Sequence, residues 1–171
     1  MDFTDKIKKY LKSHISRERY AHTLNVAKLA VEIAKKHGVR ELEKIEIAAL
    51  LHDCAKNSKT GFNHSAASSE AAKKIFKIKD KKILDAILHH TFGSINMGKF
   101  SKIIYIADIS EPGRRFSTAE KIRRAAFENI DKAMLMALAE KIKFVVSKND
   151  FLSVESVKLY NKLVKSCELK K

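Results

Sequence analysis

Almost nothing in this sequence interrupts a helix. One proline, Pro112, and five glycines are the only strong backbone breakers in 171 residues, too few for the tight turns of a β-rich fold. Apolar residues recur instead at three- and four-residue spacing, the period of one helix face. A first helix is read over Phe3 to His14, with Phe3, Ile7, Tyr10 and Leu11 on one side. Ser16 is placed to cap a second, which runs to Lys36 and stops at Gly38. A third is read from about Glu41 to Ala55, then a loop from Asn57 to Asn63. A fourth starts near His64 with Ala67, Ala71 and Ile75 as its inner face, and a fifth spans Asp80 to Thr91. A sixth covers Lys99 to Ser110 and ends before Pro112, whose ring pushes the preceding residue out of helical geometry. Helical stretches follow at Thr118–Phe127, Asp131–Ser147 and Leu152–Cys167. The pattern predicts one all-α domain over 1–171, an irregular helical bundle.

Thirty-five Lys and Arg against 20 Asp and Glu give a formal net charge of +15. That balance suits an anionic small substrate or a nucleic acid. The excess is lysine spread along polar helix faces, as at Lys6, Lys8, Lys9 and Lys12, with no arginine–aromatic stripe. Nucleic-acid binding is therefore disfavoured. Cys54 and Cys167 form no CxxC pair, which excludes a zinc ribbon, and reduced thiols fit a cytoplasmic setting. The N-terminal stretch alternates apolar and lysine residues, unlike a signal peptide, and no apolar run is long enough to span a membrane.

Helix periodicity sorts the polar residues that face inward. His22 shares a stripe with Val26, Leu29 and Ile33; His52 follows Ile45, Ala48 and Ala49; His90 follows Ile83, Ala86 and Ile87. Asp108 follows Ser101 and Ile104, whereas His89 falls on the wet face. One such histidine is ordinarily a hydrogen-bonded core residue. A buried aspartate beside several imidazoles asks for more, because an isolated charge in apolar surroundings is costly. A shared metal ion answers all of them at once. The donors are nitrogen and oxygen, with Cys54 pointing elsewhere as a small apolar filler, and they suit iron, manganese, zinc or nickel. Drawn from several helices, they make an open site with room for water and substrate oxygen.

The order His22, His52-Asp53, Asp108 resembles the signature of HD-domain metal-dependent phosphohydrolases. Longer stretches narrow the likeness: Arg19-Tyr20-Ala21-His22-Thr23, Ala48-Ala49-Leu50-Leu51-His52-Asp53, His90-Thr91-Phe92-Gly93 and Ala107-Asp108-Ile109-Ser110-Glu111-Pro112-Gly113-Arg114. They resemble the YqeK family of bacterial symmetrical dinucleoside-tetraphosphatases, which split diadenosine tetraphosphate into two ADP. The resemblance covers nearly the whole chain. It implies an HD-domain bundle with a motif core at about 16–115 and C-terminal helices at 118–167 packed on it. It implies iron as the cofactor, held by His22, His52, Asp53 and Asp108. His64 and His90 match positions that contact phosphates or hold a second metal. Asp53 and Lys56 match catalytic positions; Arg19, Thr91, Arg114 and Ser156 match substrate-binding ones. The stretch from Phe151 to Ser156 is similar to the region that closes over the nucleoside. Cys54, Phe92 and Ser153-Val154 depart from the tyrosine, threonine and His-Pro pair common in the family.

The expected chemistry is attack of metal-activated water on the phosphate chain, with Lys56 reaching a phosphate and Arg114 offering it a bidentate fork. A solvated helix-end lysine, and a loop arginine paired with Glu111, are the plainer readings of those two. Another HD-type nucleotidase or phosphodiesterase, an RNA-binding module and a non-catalytic nucleotide sensor remain as alternatives. The oligomeric state is left open, a homodimer included.

Overall fold

A computed structural model describes residues 2–56 and 61–168. They form nine α-helices: α1 (Phe3–His14), α2 (Arg17–Lys36), α3 (Leu42–Leu51), α4 (His64–Phe76), α5 (Lys81–His89), α6 (Lys99–Ser110), α7 (Ala119–Glu128), α8 (Ile130–Ser147) and α9 (Val154–Glu168). No strand occurs among the described residues, so the fold is all-α as expected. Of the loop read from Asn57 to Asn63, residues 57–60 lie outside the described residues, and Gly61–Asn63 form a 3₁₀ turn.

Side-chain caps set several starts. Ser16 accepts from the Arg19 amide, Asp80 from those of Lys82 and Ile83, and Asn129 from that of Lys132, each satisfying an amide that has no partner within its helix. Two helices form the interior. In α6, Ile103, Ile104, Tyr105, Ile106 and Ala107 are all buried, so the helix is apolar around its circumference. It packs against α2, α5, α7 and α8. In α3, Ile45 and the run Ile47 to Leu51 are buried, and the helix packs against α1, α2 and α5. Outer helices bury one face only: α1 through Thr4, Ile7 and Leu11, α5 through Ile83, Ala86 and Ile87. In the C-terminal part, α7 and α8 pack on α6, and α9 lies against α8. There Gly93 (φ +74°) is required, since a Cβ would stand 2.7 Å from Leu159 Cδ2 of α9. No helix of the described residues is long and apolar enough to cross a membrane.

Three expectations are corrected. Helix α3 ends at Leu51 rather than Ala55, and α5 at His89 rather than Thr91. Neither end carries a glycine or proline. Instead, His52 Nδ1 bonds the Ala49 carbonyl (2.6 Å) and His90 Nδ1 the Ile87 carbonyl (2.7 Å), taking up acceptors that the last helical turn leaves open. The inner face of α4 is not Ala67, Ala71 and Ile75. Ala67 and Ala71 are half-buried and Ile75 is exposed, while His64, Ser65, Ser68, Ser69 and Ala72 face inward. The reason is polar. Ser68 Oγ accepts the Ala55 amide (3.2 Å), its carbonyl accepts Cys54 Sγ (3.6 Å), and Ser69 donates to the Leu84 carbonyl (3.4 Å).

Candidate metal centre

Five helices bring polar side chains to one place. His22 comes from the second turn of α2, His52 and Asp53 from the turn ending α3, and His64 from the first residue of α4. His90 and Thr91 follow α5, and Asp108 lies in the last turn of α6. The carbonyl ends of α3, α5 and α6 thus point partial negative charge at the same volume, which favours a cation there.

The imidazoles share one arrangement. His52, His64 and His90 each set Nδ1 against the carbonyl three residues back: Ala49, Gly61 and Ile87. His22 sets Nδ1 against Glu111 Oε1 (3.1 Å). With the proton on Nδ1, every ring has an acceptor for it and turns the Nε2 lone pair inward, the tautomer a metal ligand needs. These nitrogens then face carboxylate oxygens, with the Thr91 hydroxyl as the one donor, beside His64 and His90. His22 Nε2 lies 3.1 Å from Asp108 Oδ1, His90 Nε2 3.2 Å and His64 Nε2 3.5 Å from Asp53 Oδ1, and His52 Nε2 3.8 Å from both Asp53 Oδ2 and Asp108 Oδ1. Buried lone pairs facing one another need a positive charge between them. His52 Nε2 and Asp53 Oδ1 are also buried without a hydrogen-bond partner.

Three overlapping groups have ligand atoms within 4.8 Å of one another: His22, His52 and Asp53; His52, His90 and Asp108; Asp53, His64 and His90. Asp53 belongs to two of them, so its carboxylate can serve two adjacent ions. The residues present fit a metal of nitrogen and oxygen preference. Cys54 takes no part, since its thiol is turned to the Ser68 carbonyl and burial pushes it up to about 12.

Electrostatics agree with the donor set. Burial pushes His52 down to about 4 and lowers His64, keeping both rings neutral at pH 7. Burial acts to raise Asp53, but the imidazoles of His52 and His90 outweigh it and hold the carboxyl well below its usual range. Asp108 is likewise held ionised against burial by His22, His52 and Arg114. His22 is raised, because its bond and attraction to Asp108 outweigh burial.

A cleft of about 450 Å³ opens beside the cluster, lined in part by Lys56, His64, Thr91, Asp108 and Arg114. Lys56 Nζ lies 2.9 Å from Asp53 Oδ2. The Arg114 guanidinium does not pair with the Glu111 carboxylate: it grips Asp108, with Nη2 at 2.7 Å from Oδ1 and Nε donating to the main-chain carbonyl at 2.9 Å. Thr91 Oγ1 lies 2.9 Å from His64 Nε2 and 3.2 Å from His90 Nε2. Two expected substrate contacts are engaged elsewhere. Arg19 donates to the Lys56 carbonyl, and Ser156 donates to the Phe92 carbonyl (2.7 Å), pinning α9 to the loop after α5. Phe151, at the head of that stretch, meets the Phe92 ring edge-on at 6.3 Å.

Glu111 has a larger part than its sequence position suggested. Its buried carboxylate accepts His22 Nδ1, Asn25 Nδ2 (2.9 Å) and the Gly113 amide (2.6 Å). A Cβ on Gly113 would stand 2.8 Å from Glu111 Oε1, so glycine lets the turn close on this carboxylate. A second acid three residues past Asp108, followed by Pro-Gly, was the available signal.

The HD domain family model matches residues 19–113. The symmetrical bis(5'-nucleosyl)-tetraphosphatase of Halalkalibacterium halodurans is 30% identical, over 90% of this chain and 93% of that protein. Its Bacillus subtilis counterpart is 28% identical, over 90% of this chain and 94% of that protein. A crystal structure of a predicted HD superfamily hydrolase involved in NAD metabolism, from Clostridium acetobutylicum, superposes with a TM-score of 0.86. It has 36% sequence identity and covers 95% of this chain and 97% of its own. The chain belongs to the HD domain family, in the branch that contains the symmetrical bis(5'-nucleosyl)-tetraphosphatases.

Proposed function

We propose that the protein is a metal-dependent hydrolase that cleaves diadenosine tetraphosphate symmetrically into two ADP. The observation that carries this reading is the inward-facing set of lone pairs on His22, His52, Asp53 and Asp108 beside a cleft walled by Lys56 and Arg114. In the reaction one water adds across the central P–O–P anhydride. Its oxygen stays on one phosphoryl group, and the bridging oxygen leaves with the other half. A metal held by those four residues would supply Lewis acidity, which brings the pKa of a bound water from ~15.7 towards ~7. Iron is the ion the family resemblance implies, with manganese, zinc and nickel chemically compatible. His64 and His90 are the candidates for a second ion or a phosphate contact through the other side of Asp53.

The remaining roles belong to the protein. Glu111 fixes the tautomer and ring angle of His22. Lys56 and Arg114 offset negative charge on the ligand carboxylates and present cationic groups to a polyphosphate. The net charge of +15 steers such a substrate towards the protein. A nucleotide substrate and the unpaired Cys54 fit work in the cytoplasm.

The test is product identification. Metal-replete protein is incubated separately with diadenosine tetraphosphate, NAD, AMP and a single-stranded RNA, and products are resolved by ion exchange. The expected result is two ADP per diadenosine tetraphosphate and little turnover of the others. AMP plus ATP, or free phosphate from AMP, would replace this reading with another phosphohydrolase activity.

A further inference from the structure

The cations described so far occupy one side of the cleft. Its other wall is α8, which lies outside the matched HD segment and brings Glu140, Lys141 and Phe144. Residues 141 and 144 stand three apart, on one helix face. Lys141 makes no ion pair or hydrogen bond among the described residues; its ammonium rests over the Tyr105 ring, 5.0 Å from the centroid. Burial pushes it down to about 8, which leaves it mostly charged at pH 7. A half-buried ammonium over an aromatic face, attracted by Asp108 and Asp53 at longer range but bonded to neither, has unused hydrogen-bonding capacity. Phe144, one turn on, keeps 60% of its surface exposed, although it borders a cavity that Phe116 also lines. An exposed ring across a cleft from another aromatic residue suits a stacked base. Glu140, which also lines the cleft, can accept hydroxyl or amine hydrogens, not phosphate. The cleft volume of about 450 Å³ falls in the range of small-molecule sites.

We propose that the α8 face holds the half of the dinucleotide remote from the metal, Lys141 binding its phosphates and Phe144 its base. This deepens the function proposed above and rests on it. It assigns the choice of a two-nucleoside substrate to a helix outside the shared HD core. The cluster supplies hydrolysis, and α8 supplies the second grip that separates a dinucleoside tetraphosphate from a mononucleotide.

The experiment is calorimetric binding to metal-replete full-length protein. Two probes are used: diadenosine tetraphosphate with a methylene group in place of its central bridging oxygen, and ADP. In Lys141→Met the apolar stem is kept, and affinity for the analogue is expected to fall ~10-fold. Phe144→Ala is expected to lower it ~5-fold or more. ADP, which takes the half beside the metal, should stay within about twofold of wild type in both. Lys141→Arg should restore most of the loss, and Lys143→Met, an exposed neighbour on α8, should change neither ligand. Circular dichroism and metal content, unchanged in every variant, exclude a folding explanation. Analogue affinity unchanged in Lys141→Met and Phe144→Ala would overturn the α8 subsite while leaving the hydrolase reading intact. ADP weakened as much as the analogue would also overturn it, placing Lys141 in the metal-proximal half. A wild-type protein that neither binds the analogue nor cleaves diadenosine tetraphosphate would end both.

Discussion

Asp53 carries more of the centre than any other side chain. Its Oδ1 faces His64 and His90, and its Oδ2 faces His52 and Lys56. Asp53→Asn keeps the shape and removes the charge. It should leave the helical circular dichroism intact, lower bound metal to background and reduce hydrolysis on the order of 10³-fold. Metal content and turnover at wild-type levels would show that the cluster is not the reactive centre. A finer test lies one bond further out. Gly113→Ala drives a methyl group into the Glu111 carboxylate that orients His22. Metal affinity should weaken roughly 10–100-fold, measured by competition with a chromophoric chelator; an unchanged affinity would free His22 from dependence on Glu111. Periodicity made the inward histidines legible, since they continue apolar stripes: His52 and His90 are buried, while His89 is only half-buried. Glu111 was not legible as a partner of His22, because 89 residues separate them. Nor was Lys141, which lies far along the chain from every motif.

Helices carry these residues by their ends, and the ends were harder to read than the bodies. Helix α2 runs from its Ser16 cap to Lys36 and α6 ends before Pro112, the bounds that cap and breaker predict. The last turns of α3 and α5 could not be read in that way, because what stops them is imidazole bonding to a carbonyl three residues back. The same devices that end the helix set the tautomer of the candidate ligands, so local termination and site geometry are one structural event. Helix α4 shows the opposite failure. Hydrophobicity favoured Ala67, Ala71 and Ile75 inside, but the turn after α3 needs hydrogen-bond partners and draws Ser68 inward. Ser68→Ala deprives the Ala55 amide of its acceptor. It should cost about 1–2 kcal/mol in urea unfolding and weaken metal binding, because Asp53 sits in the same turn. Loss of stability with metal affinity unchanged would uncouple that turn from the centre.

At the scale of the whole molecule, the apolar rods α3 and α6 bring helix ends together, and with them groups that repel one another when no cation is present. The apo protein should therefore be the less stable form. At metal 100-fold above its dissociation constant, linkage stabilises the folded state by about 2.7 kcal/mol. For a chain of this size, chelation should lower the melting temperature by roughly 5–10 °C, reversed by readdition of metal. A melting temperature indifferent to chelator would mean that no ion is bound by the folded state. The all-α class was readable from spacing, because a bundle of this kind repeats one period throughout; the HD motif was read as a resemblance to a known family. The cleft was not, because its far wall comes from α8, which shares no motif with the metal ligands. The central claim is that His22, His52, Asp53 and Asp108 hold one cation in common. Anomalous diffraction from metal-replete crystals, collected on both sides of the metal absorption edge, tests it most directly. Shared coordination requires a peak within ~2.0–2.3 Å of donor atoms from all four residues; a peak elsewhere, or none in crystals whose protein retains metal, would rule it out.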